Sequence, residues 1–199
     1  DMMTGNLGIA HTRWATHGGV TDYNAHPHSS SDGKITIVHN GIIENAVTLA
    51  SKLSKLGYSL SSETDTEVIV HLLDHEIKTQ QDGKGYLDAF SSVISELEGS
   101  WAIAVMISDL PGILVSRKGA PLVVGRGEGN LSVSSDVQPF YGACSEVAYL
   151  RDGDNFLLSE GKIHSLPDVD IPTFEPLEGV YDEQDPGNFD HMMLKEIHD

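Results

Sequence analysis

The stretch Lys34-Ile35-Thr36-Ile37-Val38-His39-Asn40-Gly41-Ile42-Ile43-Glu44-Asn45 decides the fold class. β-Branched residues fill its first half, so residues 34–39 read as a strand. Asn40-Gly41 then reads as the end of that strand, because both residues tolerate positive φ. Directly afterwards the apolar period changes from two to 3.6. Ile42, Ile43, Ala46, Val47, Ala50, Leu53 and Leu56 line one helical face, and Gly57 supplies the C-terminal stop.

Two more helices follow. Val68, Ile69, Leu72, Leu73 and Ile77 form the stripe of the second, with Ser62, Thr64 and Asp65 as capping candidates. Tyr86, Leu87, Phe90, Val93, Ile94 and Leu97 form the stripe of the third, which ends near Gly99. From Trp101 onward the pattern is of strands, at 101–108, 113–117, 122–125, 131–134, 147–150, 155–158 and 162–166, each bounded by Gly, Pro or Asp turns. Helices in one run and hairpin-linked strands in another indicate an α+β layered domain with antiparallel sheets. Upstream, residues 7–15 read as a short strand entering a polar loop over 16–33. The Pro-, Asp- and Glu-rich residues 167–188 read as a linker, with a helix starting near Phe189.

The 199 residues suit one substantial domain, and 39% hydrophobic with 21% charged residues is an ordinary globular balance. Twelve Lys and Arg against 30 Asp and Glu give a formal charge of -18, which disfavours nucleic acid and membrane surfaces as partners. No run of about eighteen apolar residues occurs to cross a membrane, and the first residues have no signal-peptide pattern. Cys144 is the only cysteine, which excludes an internal disulfide and suits a reducing cytoplasm.

The densest polar cluster is His11-Thr12-Arg13-Trp14-Ala15-Thr16-His17-Gly18, followed by Asn24-Ala25-His26-Pro27-His28. Arg beside a hydroxyl and an imidazole suits a small anionic ligand, since Arg clasps a carboxylate through two parallel hydrogen bonds. A polar loop that satisfies its own backbone explains the run equally well. Asn40-Gly41 is most economically a turn, although an Asn amide beside a free Gly N–H also makes an oxyanion hole. Ser62-Glu63-Thr64-Asp65-Thr66-Glu67 is most economically a helix cap with acids in the first turn, where an acid could instead meet a ligand's ammonium. Glu67, His71 and His75 recur at four-residue spacing as zinc ligands can, but a solvated helix face accounts for them, and no metal is expected. Cys144 has no nearby basic partner in sequence and reads as structural.

Four of these strings together resemble glucosamine-6-phosphate synthases: residues 8–18, 24–28, His39-Asn40-Gly41-Ile42-Ile43-Glu44-Asn45, and Ser62-Glu63-Thr64-Asp65-Thr66-Glu67-Val68-Ile69. Weaker echoes are residues 116–122, Ser134-Ser135-Asp136 and Met193-Leu194-Lys195-Glu196-Ile197. The resemblance implies an N-terminal-nucleophile hydrolase fold, a four-layer αββα sandwich with antiparallel sheets, incomplete here at the N-terminus. It implies a glutaminase domain over residues 1–180. Residues 181–199 would be a linker and the start of a helix leading to a sugar-phosphate isomerase domain. In that family L-glutamine is hydrolysed and its ammonia aminates fructose 6-phosphate, without a cofactor, in a cytoplasmic homodimer or larger assembly.

The resemblance also implies roles. Arg13 would bind the glutamine α-carboxylate, with Thr16, His17 and His26 in the same pocket, and Asp65 would pair with the α-ammonium. Asn40 and Gly41 would form the oxyanion hole, and Trp14 would close the pocket and gate ammonia. The family's nucleophile is an N-terminal cysteine whose own amine is the base. This sequence begins with Asp1, so glutamine hydrolysis is expected of the parent protein and not of this polypeptide alone. Two readings compete: a glutamine-binding sensor or interaction domain without a nucleophile, and another class II amidotransferase. Cys144 as a substitute nucleophile would require it to lie beside the oxyanion donors.

Overall fold

Alternating apolar residues build strands whose two faces pack into separate cores. The computed structural model describes residues 5–13, 19–80 and 85–179. In chain order the strands and helices are β1 (His28–Ser29), β2 (Ile35–Ile43), α1 (Ala46–Lys55), α2 (Asp65–Thr79), α3 (Tyr86–Ser95), β3 (Gly99–Ile107) and β4 (Ile113–Lys118). Then come β5 (Val123–Arg126), β6 (Leu131–Ser134), β7 (Glu146–Tyr149), β8 (Asn155–Ser159), β9 (Lys162–His164) and β10 (Glu175–Pro176). They form two antiparallel sheets, one ordered β1-β2-β3-β4-β8-β9 and the other β10-β7-β5-β6.

The strand period sorts side chains between two cores. Trp101, Ile103, Val105 and Ile107 of β3 point to the helices, where they meet Ile69, Leu73, Phe90 and Ile37. Ala102 and Ala104 point the other way, into an inter-sheet core with Val115, Val124 and Phe156. Phe90, Phe156, Ile69 and Leu73 are fully buried, each stabilising the fold by about 1.5–3 kcal/mol relative to exposure. A third, small core of Val123, Phe140 and Val147 closes the outer face of the four-stranded sheet. The layers therefore run helices, six-stranded sheet, four-stranded sheet: the expected α+β sandwich of antiparallel sheets, with one helical layer among the described residues where the four-layer expectation has two.

Five local expectations are corrected. β2 does not end at Asn40-Gly41; it pairs with β3 through Asn40↔Ala102, Gly41↔Trp101 and on to Ile43↔Gly99. Gly41 takes φ +123 inside the ladder, and lacking a Cβ it lets the Ser100 carbonyl close to where a Cβ would sit, 2.2 Å away. The first helix consequently starts later, and Ile42 and Val47 are exposed (41% and 84%) instead of lining its buried face. Residues 5–13 form no strand, although Ile9 packs on the inter-sheet core.

The supposedly solvated face of α2 is also buried: Glu67, His71 and Asp74 are each under 5% exposed. α2 packs against α1, α3, β1 and β2, so no side of its middle turns meets solvent. Its carboxylates are satisfied internally instead, whereas His71 Nδ1 is buried without a hydrogen-bond partner. The backbone N–H and hydroxyl groups of Ser61 and Ser62 all donate to Glu67, and Asp74 accepts from Tyr58 Oη at 3.0 Å and Lys78 Nζ at 2.8 Å. Finally, residues 167–179 are a strap and not a free linker. β10 adds to the edge of β7, Leu177 N–H donates to the Ser145 carbonyl at 2.9 Å, and the Arg126 guanidinium lies 3.5 Å over the Phe174 ring. An open sheet edge offers unpaired backbone groups, and the strap fills them.

Candidate functional site

A cavity of about 290 Å³ opens where β2 crosses the start of α2, lined by His11, Arg13, His26, His39, Asn40, Gly41, Thr64, Asp65, Thr66 and Ser100 among others. Thr64 caps α2, its hydroxyl accepting the Glu67 N–H, so that Asp65 is the first helical residue. The Asp65 carboxylate sits there with a favourable helix dipole and accepts the Ile43 N–H at 2.8 Å.

Strand alternation sends the N–H groups of His39, Gly41 and Ile43 to one side of β2, away from β3. The His39 N–H donates to His26 Nδ1 at 3.3 Å and the Ile43 N–H to Asp65. The Gly41 N–H lies between them, on the cavity side. Next to it, the exposed Asn40 side chain meets His11 Nε2 at 2.7 Å through its Oδ1, which leaves its NH2 group as a donor.

Arg13 takes φ +33, and its Nη1 donates to the Gly19 carbonyl at 3.1 Å. Asn24, buried, joins this loop to the cap of α2. Its Nδ2 donates to the Gly19 carbonyl (3.0 Å) and to Glu63 Oε2 (3.2 Å), while its Oδ1 accepts the Glu63 N–H (3.0 Å). The Arg13 loop and the Asp65 helix are thus held at a fixed separation.

Three imidazoles, those of His11, His26 and His39, line the cavity, with His28 packed behind them. His11 and His26 stack at 4.3 Å, and His28 meets His26 edge-on at 5.1 Å. Burial, with added repulsion from His11, His28, His39 and Arg13, lowers the His26 pKa to about 3. Burial also lowers His28 and His39, the latter partly offset by Asp65. His26 is therefore neutral at physiological pH, and His28 and His39 are held toward the neutral form. Among the described residues no group of three or more His, Cys, Asp or Glu is placed to hold a metal ion.

Of the residues singled out by sequence, Arg13, His26, Asn40, Gly41 and Asp65 come together in this one cavity. Trp14, Thr16 and His17 lie outside the described residues. Cys144 is elsewhere, on the outer face of the four-stranded sheet beside Val123 and Phe140, and burial raises its pKa. It does not meet the requirement for a substitute nucleophile. Sequence reading gave no role to His11, His39, Thr66 or Ser100. The first two carried a signal, lying two residues before Arg13 and directly before Asn40.

The paired antiparallel sheets resemble those of solved amidotransferases. Glutamine phosphoribosylpyrophosphate amidotransferase from B. subtilis superposes with a TM-score of 0.55 at 24% identity, over 75% of this chain and 34% of that one. A structure described as the allosteric regulatory enzyme of purine biosynthesis gives the same TM-score at 27% identity, over 73% and 33%. Residues 11–142 match the model of the glutamine amidotransferase domain, and the chain belongs to that family. Glutamine–fructose-6-phosphate aminotransferases (isomerizing) are similar along nearly its whole length. The protein of Methanosarcina acetivorans is 41% identical over 98% of this chain, and that of Idiomarina loihiensis 43% over 99%. The chain spans about a third of the length of these relatives, 33% and 32%.

Proposed function

We propose that this chain is the glutaminase domain of a glutamine–fructose-6-phosphate aminotransferase, supplying ammonia from L-glutamine for conversion of fructose 6-phosphate to glucosamine 6-phosphate. The observation that carries the reading is the content of one cavity: a guanidinium, a carboxylate and an oriented amide donor. A zwitterionic amino acid with a reacting carbonyl needs those three groups. Arg13 clasps the α-carboxylate, and Asp65 meets the α-ammonium. Asn40 Nδ2 and the Gly41 N–H receive the oxygen that becomes negative when a thiol attacks the side-chain amide. Collapse of that tetrahedral adduct expels ammonia and leaves a thioester, which water hydrolyses to L-glutamate. His26, held neutral, adds no competing cation beside Arg13.

Identity of about 41% to a third of the length of these aminotransferases supports the assignment of the parent. In this reading residues 1–180 are the glutaminase unit and 181–199 lead toward the sugar-phosphate isomerase domain. The parent is a homo-oligomer, and its compartment is the cytoplasm, which suits a chain with one cysteine. Calorimetric titration with L-glutamate, the product, tests the site without requiring turnover. Saturable binding of L-glutamate and none of D-glutamate is expected; a chain that binds neither refutes the reading.

A further inference from the structure

We propose that His11 is a positioning residue that sets the orientation of the Asn40 amide, and so decides whether the cavity presents a hydrogen-bond donor or an acceptor to the reacting oxygen. This inference rests on the glutaminase reading for its catalytic consequence, although its structural half stands alone.

The argument runs through a chain of forced donors and acceptors. The Arg13 backbone N–H can only donate, and it lies 2.9 Å from His11 Nδ1. Nδ1 must therefore accept, and a neutral imidazole then carries its proton on Nε2. Nε2 lies 2.7 Å from the Asn40 side chain, so the atom facing it must be the amide oxygen. The NH2 group is left pointing away from His11, beside the Gly41 N–H. With the other tautomer, two donors would face each other at the Arg13 N–H, and Asn40 would be free to turn its oxygen to the cavity. An amide oxygen there would repel a developing oxyanion.

The stacked partner holds the same arrangement one layer deeper. His26 Nδ1 accepts the His39 N–H at 3.3 Å, which leaves Nε2–H to donate to Thr66 Oγ1 at 3.4 Å. Both stacked rings thus use Nδ1 for a backbone N–H and Nε2 for a side chain. Thr66 Oγ1 also meets His39 Nδ1 at 3.0 Å, so His26 is anchored in turn. A face 4.3 Å away leaves the His11 ring little room to rotate. One imidazole thereby serves two parts of the site, the turn that places Arg13 and the amide of Asn40.

Asn and Gln separate these two duties, because the Asn side-chain oxygen mimics Nδ1 and the Gln side-chain nitrogen mimics Nε2. In the full-length enzyme, His11→Asn is expected to lower kcat for glutamine hydrolysis about 10- to 100-fold with KM changed less than about threefold, and His11→Gln to recover most of the kcat. Equal losses in both variants, or a loss confined to KM, would overturn the proposal. Long-range ¹H–¹⁵N spectra of the wild-type chain supply a test that needs no activity. His11 protonated on Nε2 and bare on Nδ1 at neutral pH is expected, and the opposite tautomer would overturn it. If the tautomer is as expected but wild-type protein neither binds L-glutamate nor hydrolyses glutamine, the glutaminase reading fails, and the catalytic half of the proposal fails with it.

Discussion

Asp65 holds the Ile43 N–H at 2.8 Å, so the first residue of α2 ties off the end of β2 and faces the cavity at the same time. This double use makes a charge-only substitution informative. Asp65→Asn keeps a side-chain carbonyl for the Ile43 N–H and removes the negative charge. Thermal stability should fall by only about 0.5–1 kcal/mol, the worth of an acid at a helix N-terminus. Affinity for L-glutamate should fall about 10- to 100-fold, since a hydrogen bond to a charged group is worth about 1.5–3 kcal/mol. Calorimetry on the variant decides it, and unchanged affinity would remove Asp65 from the ammonium site.

Glu67 should be among the most sensitive carboxylates in the chain. Burial alone would raise its pKa, but the hydrogen bonds from Ser61 and Ser62 outweigh that and bring it to about 2. The folded pKa is thus depressed from 4.5, so the stabilisation is full above about pH 4.5 and is lost as pH falls toward 2. A shift of that size corresponds to roughly 3 kcal/mol. Glu67→Gln swaps one acceptor oxygen for a donor facing hydroxyls and amides that already donate. Urea unfolding should show a loss of about 3 kcal/mol at pH 7 that narrows below pH 4. A pH-independent difference would mean that the charge is not what the serines hold.

Gly41→Ala should destabilise by about 2–4 kcal/mol, combining backbone strain with overpacking. The new Cβ would stand 2.2 Å from the Ser100 carbonyl oxygen at φ +123. Gly33 is the control, because it has φ +71 with nothing within 4 Å of an added Cβ. Gly33→Ala should therefore cost only about 1–2 kcal/mol, the strain alone. Denaturation midpoints of the two variants measure the difference, and equal midpoints would show that the ladder yields at Gly41.

The same glycine shows where sequence reading stops. Periodicity placed α2, α3 and strands β3 to β9 within a few residues, because their apolar faces meet large continuous cores. Asn40-Gly41 carries the local signature of a turn, yet nine consecutive pairs of the β2–β3 ladder override it. Gly41 is needed for the close approach of Ser100 across the ladder, a relation between residues 59 apart that no local pattern records. Likewise the spacing of Glu67, His71 and His75 reads as a wet face, yet Glu67 and His71 are buried, because enclosure of α2 depends on α1, α3 and β2 together. Residues that line the cavity are legible where their chemistry is unusual in type, as with Arg13, Asn40 and Asp65. His11 and Thr66 act through orientation, and orientation appears only once the partners are in place.

His26 gives a pH dependence of its own. Its folded pKa of about 3 lies below the 6.5 of a free imidazole, so the unfolded chain takes up a proton first as the solution is acidified. The associated stability is full above about pH 6.5 and is lost progressively from there down to about pH 3. Between pH 7 and pH 5 this amounts to about 1–2 kcal/mol, allowing for the part of the ring that solvent reaches. His28 and His39 are shifted in the same direction and add to it. His26→Asn retains an acceptor for the His39 N–H while removing the titrating ring, so its unfolding free energy should change less between pH 7 and pH 5 than that of the wild type. Urea titrations of both proteins at the two pH values measure the difference. An identical pH dependence would place the acid sensitivity on His28 and His39, and would mean that the stacked His11–His26 pair accepts a proton without leaving the wall.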